Sequence, residues 1–87
     1  MTGKLVEPTD YASFCRRIIR SLGQRVGDAD PESLRYFQEL RDLLTKAEDR
    51  AMVALTEAGY SCAEMARVLG VTRQAVHQRV QRTRSAQ

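Results

Sequence analysis

Between Thr72 and Gln81 the chain carries Thr72, Arg73, Gln74, His77, Gln78 and Gln81, all able to hydrogen-bond, and no carboxylate. At helical spacing these six share an outward face. Arginine can bond guanine O6 and N7, and glutamine adenine N6 and N7, in the DNA major groove, where each good bidentate pair discriminates by about 1 to 3 kcal/mol. An ordinary solvated face would mix in glutamate or aspartate to balance the charge. Residues 65–87 hold five arginines and no acid, whereas residues 1–64 hold 9 basic and 11 acidic side chains. Such asymmetry commonly marks a surface facing an anionic polymer. A basic helix end that complements its own dipole gives the same charge pattern, so charge by itself does not separate the two readings.

Other chemistries find little to work with. Cys15 and Cys62 are far apart and His77 is the single histidine, which fits neither a zinc-ligand spacing nor a secreted disulfide framework. No metal site is expected. Both cysteines read as reduced thiols in a cytosol, Cys62 as a small residue filling the first turn of a helix. There is no Ser/His/Asp set, glycine-rich phosphate loop or conspicuous carboxylate pair, so neither catalysis nor a cofactor is expected. No stretch approaches the roughly 18 apolar residues of a membrane span. The expected location is the cytoplasm, at the nucleoid.

The elements that must position the outward face are helical. A chain of 87 residues buries only about 60 to 65% of its unfolded surface, so its apolar residues must enter one core or a subunit interface. Tyr11, Phe14, Cys15, Ile18, Ile19, Leu22 and Val26 line one side of a helix from about Thr9 to Val26, opposite Arg16, Arg17, Arg20 and Gln24. Thr9 is its expected cap and Gly27 its left-handed end. A second helix is expected from Pro31, capped by Asp30, to Ala58. Its apolar stripe runs through Leu34, Phe37, Leu40, Leu44, Ala47, Ala51, Ala54, Leu55 and Ala58, and its alanine-bearing end is expected to receive the helices that follow. Leu34 to Leu44 require another partner, either the first helix or the same surface of a second protomer.

Two short helices follow. Ser61 and Glu64 form a capping box, Gly70 ends the first helix after about eight residues, and Thr72 caps the next. Ala66 is small where the helices must cross, Leu69, Val71 and Val76 are placed to seal the joint, and Tyr60, Met52 and Met65 are expected to pack.

Gly70-Val71-Thr72-Arg73-Gln74-Ala75-Val76, with Glu64-Met65-Ala66 ahead of the turn, resembles the helix-turn-helix of bacterial and phage regulators, especially the region-four type of sigma factors and their short relatives. The resemblance covers about residues 47–82. It implies a scaffold helix over Ala47 to Ala58, a positioning helix over Ser61 to Leu69, and a recognition helix from Thr72 to about Arg82. It further implies base contacts from Arg73, Gln74, His77 and Gln78 and phosphate contacts from Ser61, Thr72 and Arg82. The position three after Val76 is usually apolar in that family; here it is Arg79, with Val80 beside it.

The sequence thus leads to an all-α fold with an N-terminal helix, one long helix and a C-terminal helix-turn-helix. Residues 1–8 are expected to be a flexible N-terminus, 9–46 a dimerisation or interaction segment, 47–82 the DNA-binding region and 83–87 a flexible basic tail. Phe14, Ile18, Leu34, Phe37, Leu40 and Leu44 are the expected dimer interface. The expected function is a homodimeric, sequence-specific regulator of transcription bound to double-stranded DNA. The alternatives are a module that binds RNA polymerase or a partner regulator, and a nucleoid protein of low sequence preference.

Overall fold

The computed structural model describes residues 7–86; positions 1–6 of the expected flexible N-terminus, and Gln87, lie outside the described residues. The fold is all-α. Helix α1 (Pro8–Gly27) is followed by a 3-10 turn (Pro31–Leu34), then α2 (Arg35–Glu57), α3 (Cys62–Leu69) and α4 (Arg73–Ala86). Among the described residues there is no strand, and no helix is long and apolar enough to cross a membrane. The chain divides into two compact units between Phe37 and Gln38.

In the first unit, α1 starts one residue earlier than the expected Thr9 cap. Pro8 occupies the first helical position, where its fixed φ suits the helix and its missing N–H is no loss, and Glu7 precedes it in an extended conformation without a side-chain cap. Gly27 does not end the helix in a left-handed conformation. The chain leaves through Asp28 in the right-handed region; the Asp28 N–H donates to the Gln24 carbonyl (3.1 Å) and the Ala29 N–H to that of Val26 (3.0 Å). Asp30 is then extended and accepts from the Ser33 N–H (3.0 Å) and hydroxyl (3.2 Å). These i to i+3 closures tighten the chain into a 3-10 turn, which is why α2 begins at Arg35 and not, as expected, at Pro31. The turn lies against α1. Val26 is the buried residue of α1, while Tyr11, Phe14, Ile18 and Ile19 remain about half exposed.

The second unit has one core, drawn from Met52 and Val53 of α2, Met65 and Ala66 of α3, and Val76 and Val80 of α4, with Cys62 and Leu69 packed against it. Asp49, Met52, Val53 and Thr56, at i, i+3, i+4 and i+7, are the α2 residues withdrawn from solvent here. The alanine stripe expected to receive the short helices stays exposed at Ala47, Ala51, Ala54 and Ala58. The larger Met52 and Val53 bury more apolar surface than alanines would, so the helices seat on them.

Local chemistry fixes the joints. Gly59, at φ 105°, turns the chain after α2. The Glu64 N–H then donates to Ser61 Oγ (3.1 Å) while the Ser61 N–H donates to Glu64 Oε1 (2.8 Å), the reciprocal cap that starts α3. Gly70 adopts the left-handed conformation (φ 72°, ψ 32°), and the N–H groups of Gly70 and Val71 both donate to the Ala66 carbonyl (2.9 and 3.1 Å). Thr72 Oγ1 accepts from the Ala75 N–H (3.0 Å) and starts α4. Val71 does not seal the joint, being 45% exposed; its backbone N–H makes the contact instead. Tyr60, expected to pack, is half exposed as well.

A Cβ added at Gly70 or Gly23 would meet nothing within 4 Å, so substitution there reports backbone conformation alone. Gly70→Ala should cost about 1 kcal/mol or more because its φ is left-handed. Gly23→Ala, inside α1, should stabilise by about 0.5 to 1 kcal/mol. Thermal unfolding followed by circular dichroism would check the opposite signs.

Candidate nucleic-acid interface

Burial of Val76 and Val80 turns α4 so that Arg73, Gln74, His77, Gln78 and Gln81 are exposed. Val76 has 0% exposure, which leaves the helix little rotational freedom. Arg73, Gln74 and His77 line one shallow cleft together with Cys62, the first residue of α3. Gln78 lies one residue beyond His77 on the same helix. Ser61 and Thr72 are the N-caps of α3 and α4, with their oxygens engaged by backbone N–H groups; each hydroxyl keeps a proton to donate. Glu64, fully exposed, is held below the ordinary glutamate pKa first by the Ser61 backbone N–H, then by the Ser61 hydroxyl, with nearby Arg67 adding a smaller effect.

Arg82 does not join this group. It lines a different cleft, with Lys46, Asp49 and Arg50 of α2 and Thr83 of α4. The three residues expected to contact phosphate are therefore divided between two places. Lys46 and Arg50 were not singled out in the sequence; their one-turn spacing on α2, on the rim of the face that receives α4, is the signal that could have found them.

Arg79, at a position where the sequence resemblance led to an apolar residue, is held by two acids of α2. Its Nε donates to Asp49 Oδ1 (2.8 Å) and its Nη2 to Glu48 Oε1 (2.7 Å), and Nη2 also lies 2.7 Å from Asp49 Oδ1. The hydrogen bond to Glu48 is the largest influence raising the guanidinium pKa, and the pairing with Asp49 adds to it against the lowering effect of partial burial. The apolar position is taken by Val80, and Arg79 ties α4 to α2. Beyond it α4 continues past the expected end near Arg82: the Thr83 hydroxyl donates to the Arg79 carbonyl (2.7 Å), and residues 83–86, expected to be a flexible tail, are helical.

A second surface of this unit is apolar. Ala51, Met52 and Leu55 of α2, Tyr60, and Val68 and Leu69 of α3 line a groove of about 370 Å³. It shares no residue with the cleft at Arg73. The expected dimer residues Phe14, Ile18, Leu34, Leu40 and Leu44 are exposed, and Phe37 is half-buried.

The chain matches no protein-family model, no curated protein and no solved structure.

Arg79→Ala and Asp49→Ala should each lower the stability of the second unit, and the double variant should lose less than the sum of the two. A coupling of about 1 kcal/mol is expected for contacting charges. Strict additivity in a urea-unfolding cycle would show that the pair contributes nothing.

Proposed function

We propose that the protein is a sequence-specific regulator of transcription that binds double-stranded DNA as a homodimer, with α4 as the recognition helix of a helix-turn-helix. The observation that carries this reading is the exposed face of α4, on which Arg73, Gln74, His77 and Gln78 present hydrogen-bonding groups with no carboxylate. The helix is pinned behind them by Val76, Val80 and the Arg79 pairs. A face held this firmly can discriminate among base edges, because donors that need no rearrangement lose little on binding.

In this reading Arg73, Gln74, His77 and Gln78 meet base edges, while Ser61 and Thr72 meet phosphate oxygens. The half-exposed apolar residues of α1 with Leu34 in the first unit, and Leu40 with Leu44 in the second, each supply a pairing surface of the dimer. Two recognition helices then enter successive major grooves of a pseudo-palindrome, with half-sites about one helical turn or a multiple of it apart. Regulation follows from occupancy, in the cytoplasm at the nucleoid. No catalytic step and no cofactor enter this mechanism.

The apolar groove on α2 and α3 favours one second reading, a module that docks on RNA polymerase or a partner regulator. Val68, 74% exposed at this groove, distinguishes the two. Val68→Glu should leave duplex binding by the purified protein intact if DNA is the primary partner. The docking reading requires promoter occupancy in cells that purified protein cannot reproduce and that this substitution removes. A low-specificity nucleoid protein would instead give diffuse genomic coverage.

Arg73→Ala and Gln74→Ala should each reduce preference for the best genomic site over random duplex by about five-fold or more, with the helical content unchanged. Equal preference in both variants and wild type, measured by duplex titration, would remove α4 as the reading surface. Leu44→Glu and Ile18→Glu should convert a sedimenting dimer to monomer and abolish preference for an inverted repeat over a single half-site. A wild-type protein that sediments as a monomer and binds one half-site with full affinity would overturn the dimer.

A further inference from the structure

The cleft lined by Lys46, Arg50 and Arg82 shares no residue with the cleft lined by Arg73, Gln74 and His77, and the proposed function gives its charges no role. Asp49 is the acid bordering it, and Asp49 is already bound by Arg79. Among the described residues no carboxylate pairs with Lys46, Arg50 or Arg82, and all three are exposed. Three unanswered cations from two helices therefore converge on one edge of α4.

Their position around α4 gives the cluster its meaning. At roughly 100° per residue, Arg82 points about 180° away from Arg73, whereas His77 and Arg84 fall within about 40° of Arg73. The helix thus has one flank with the cations Arg73 and Arg84, and an opposite flank where Arg82 is joined by Lys46 and Arg50 from α2. A helix with its side chains is roughly 10–12 Å across and the B-DNA major groove roughly 12 Å wide. A helix seated in that groove therefore turns its two flanks to the phosphates of the two different strands.

We propose that Lys46, Arg50 and Arg82 form a second phosphate clamp, which holds the strand across the major groove from the one nearest Arg84. The proposal rests on the DNA-binding reading and adds two residues of α2, outside the paired short helices, to the binding surface. The clamp carries no base information. Its cations fix the depth and register of α4 in the groove and release counterions when they replace them on phosphate.

The test is a titration of the preferred duplex and of a random duplex between about 50 and 200 mM salt, with wild type, Lys46→Gln, Arg50→Gln, Arg82→Gln, the triple variant and Arg50→Lys. Each glutamine substitution should flatten the slope of log K against log salt by about 0.9, and the triple variant by nearly three times as much. Both duplexes should weaken by the same factor, so that site preference survives, and Arg50→Lys should keep the wild-type slope. Circular dichroism checks that the variants remain helical; the single substitutions decide the matter if the triple variant does not. Binding by wild type with an unchanged slope in the variants overturns the clamp alone, and so does a loss confined to the preferred duplex. Wild type that binds neither duplex overturns the DNA-binding reading, and the clamp with it.

Discussion

Val76 has no exposed surface, and the direction of every side chain on the outer face of α4 follows from that burial. Rotating the helix by one residue would bring Ala75 or His77 into the space that Val76 occupies, leaving a void in one direction and burying an unsatisfied polar group in the other. Ala66 makes the seat possible, because a small side chain lets the helices approach at the crossing. The left-handed Gly70 supplies the short reversal that presents one helix to the other. A core of six buried side chains is small, and the reciprocal cap at Ser61 and the Thr72 cap matter more in such a unit than in a large domain. Each cap is typically worth about 1 kcal/mol where the whole stability margin is a few.

Arg79 shows a different use of charge. A hydrophobic residue in a partly buried position of this kind would be about as stabilising, but it would not constrain orientation. The guanidinium is gripped by two carboxylates on successive residues of α2, which links α4 to α2 at a defined distance and angle. The same contacts absorb the negative charge of Glu48 and Asp49, two acids that would otherwise face the cationic helix. The charge asymmetry visible along the chain is therefore sharpened in space: the acids nearest α4 are spent on Arg79, and the remaining arginines are left exposed.

Much of this arrangement was legible in the sequence because it depends on short-range rules. The Ser61 and Glu64 cap, the glycine at position 70, the Thr72 cap and the inward Val76 are each specified within a few residues, and all take their expected places. Failures came where tertiary choice overrides local pattern. The alanines of α2 continue the spacing of Leu40 and Leu44 so regularly that they read as the seat for α3 and α4, yet the chain buries the neighbouring face with Met52 and Val53. Thr9 is a good cap by type, but Pro8 starts the helix before it. Arg79 looked like an interruption of an apolar position, and only the three-dimensional approach of Glu48 and Asp49, about thirty residues earlier, explains it. The grouping of Arg82 with Lys46 and Arg50 likewise depends on how α4 packs against α2, which local spacing does not state.

In the second unit, the helices that share the core follow one another directly, with turns of only a few residues between them. Contacts of this kind close short loops, and helical domains dominated by them fold in microseconds to milliseconds. The outer face of α4 is thus assembled almost as soon as the last of its residues has been synthesised, with no strand pairing or proline isomerisation among the described residues 38–86 to wait for. The amount of folded outer face then follows the rate of synthesis and removal of the chain with little delay, because folding adds almost nothing to the time that turnover takes.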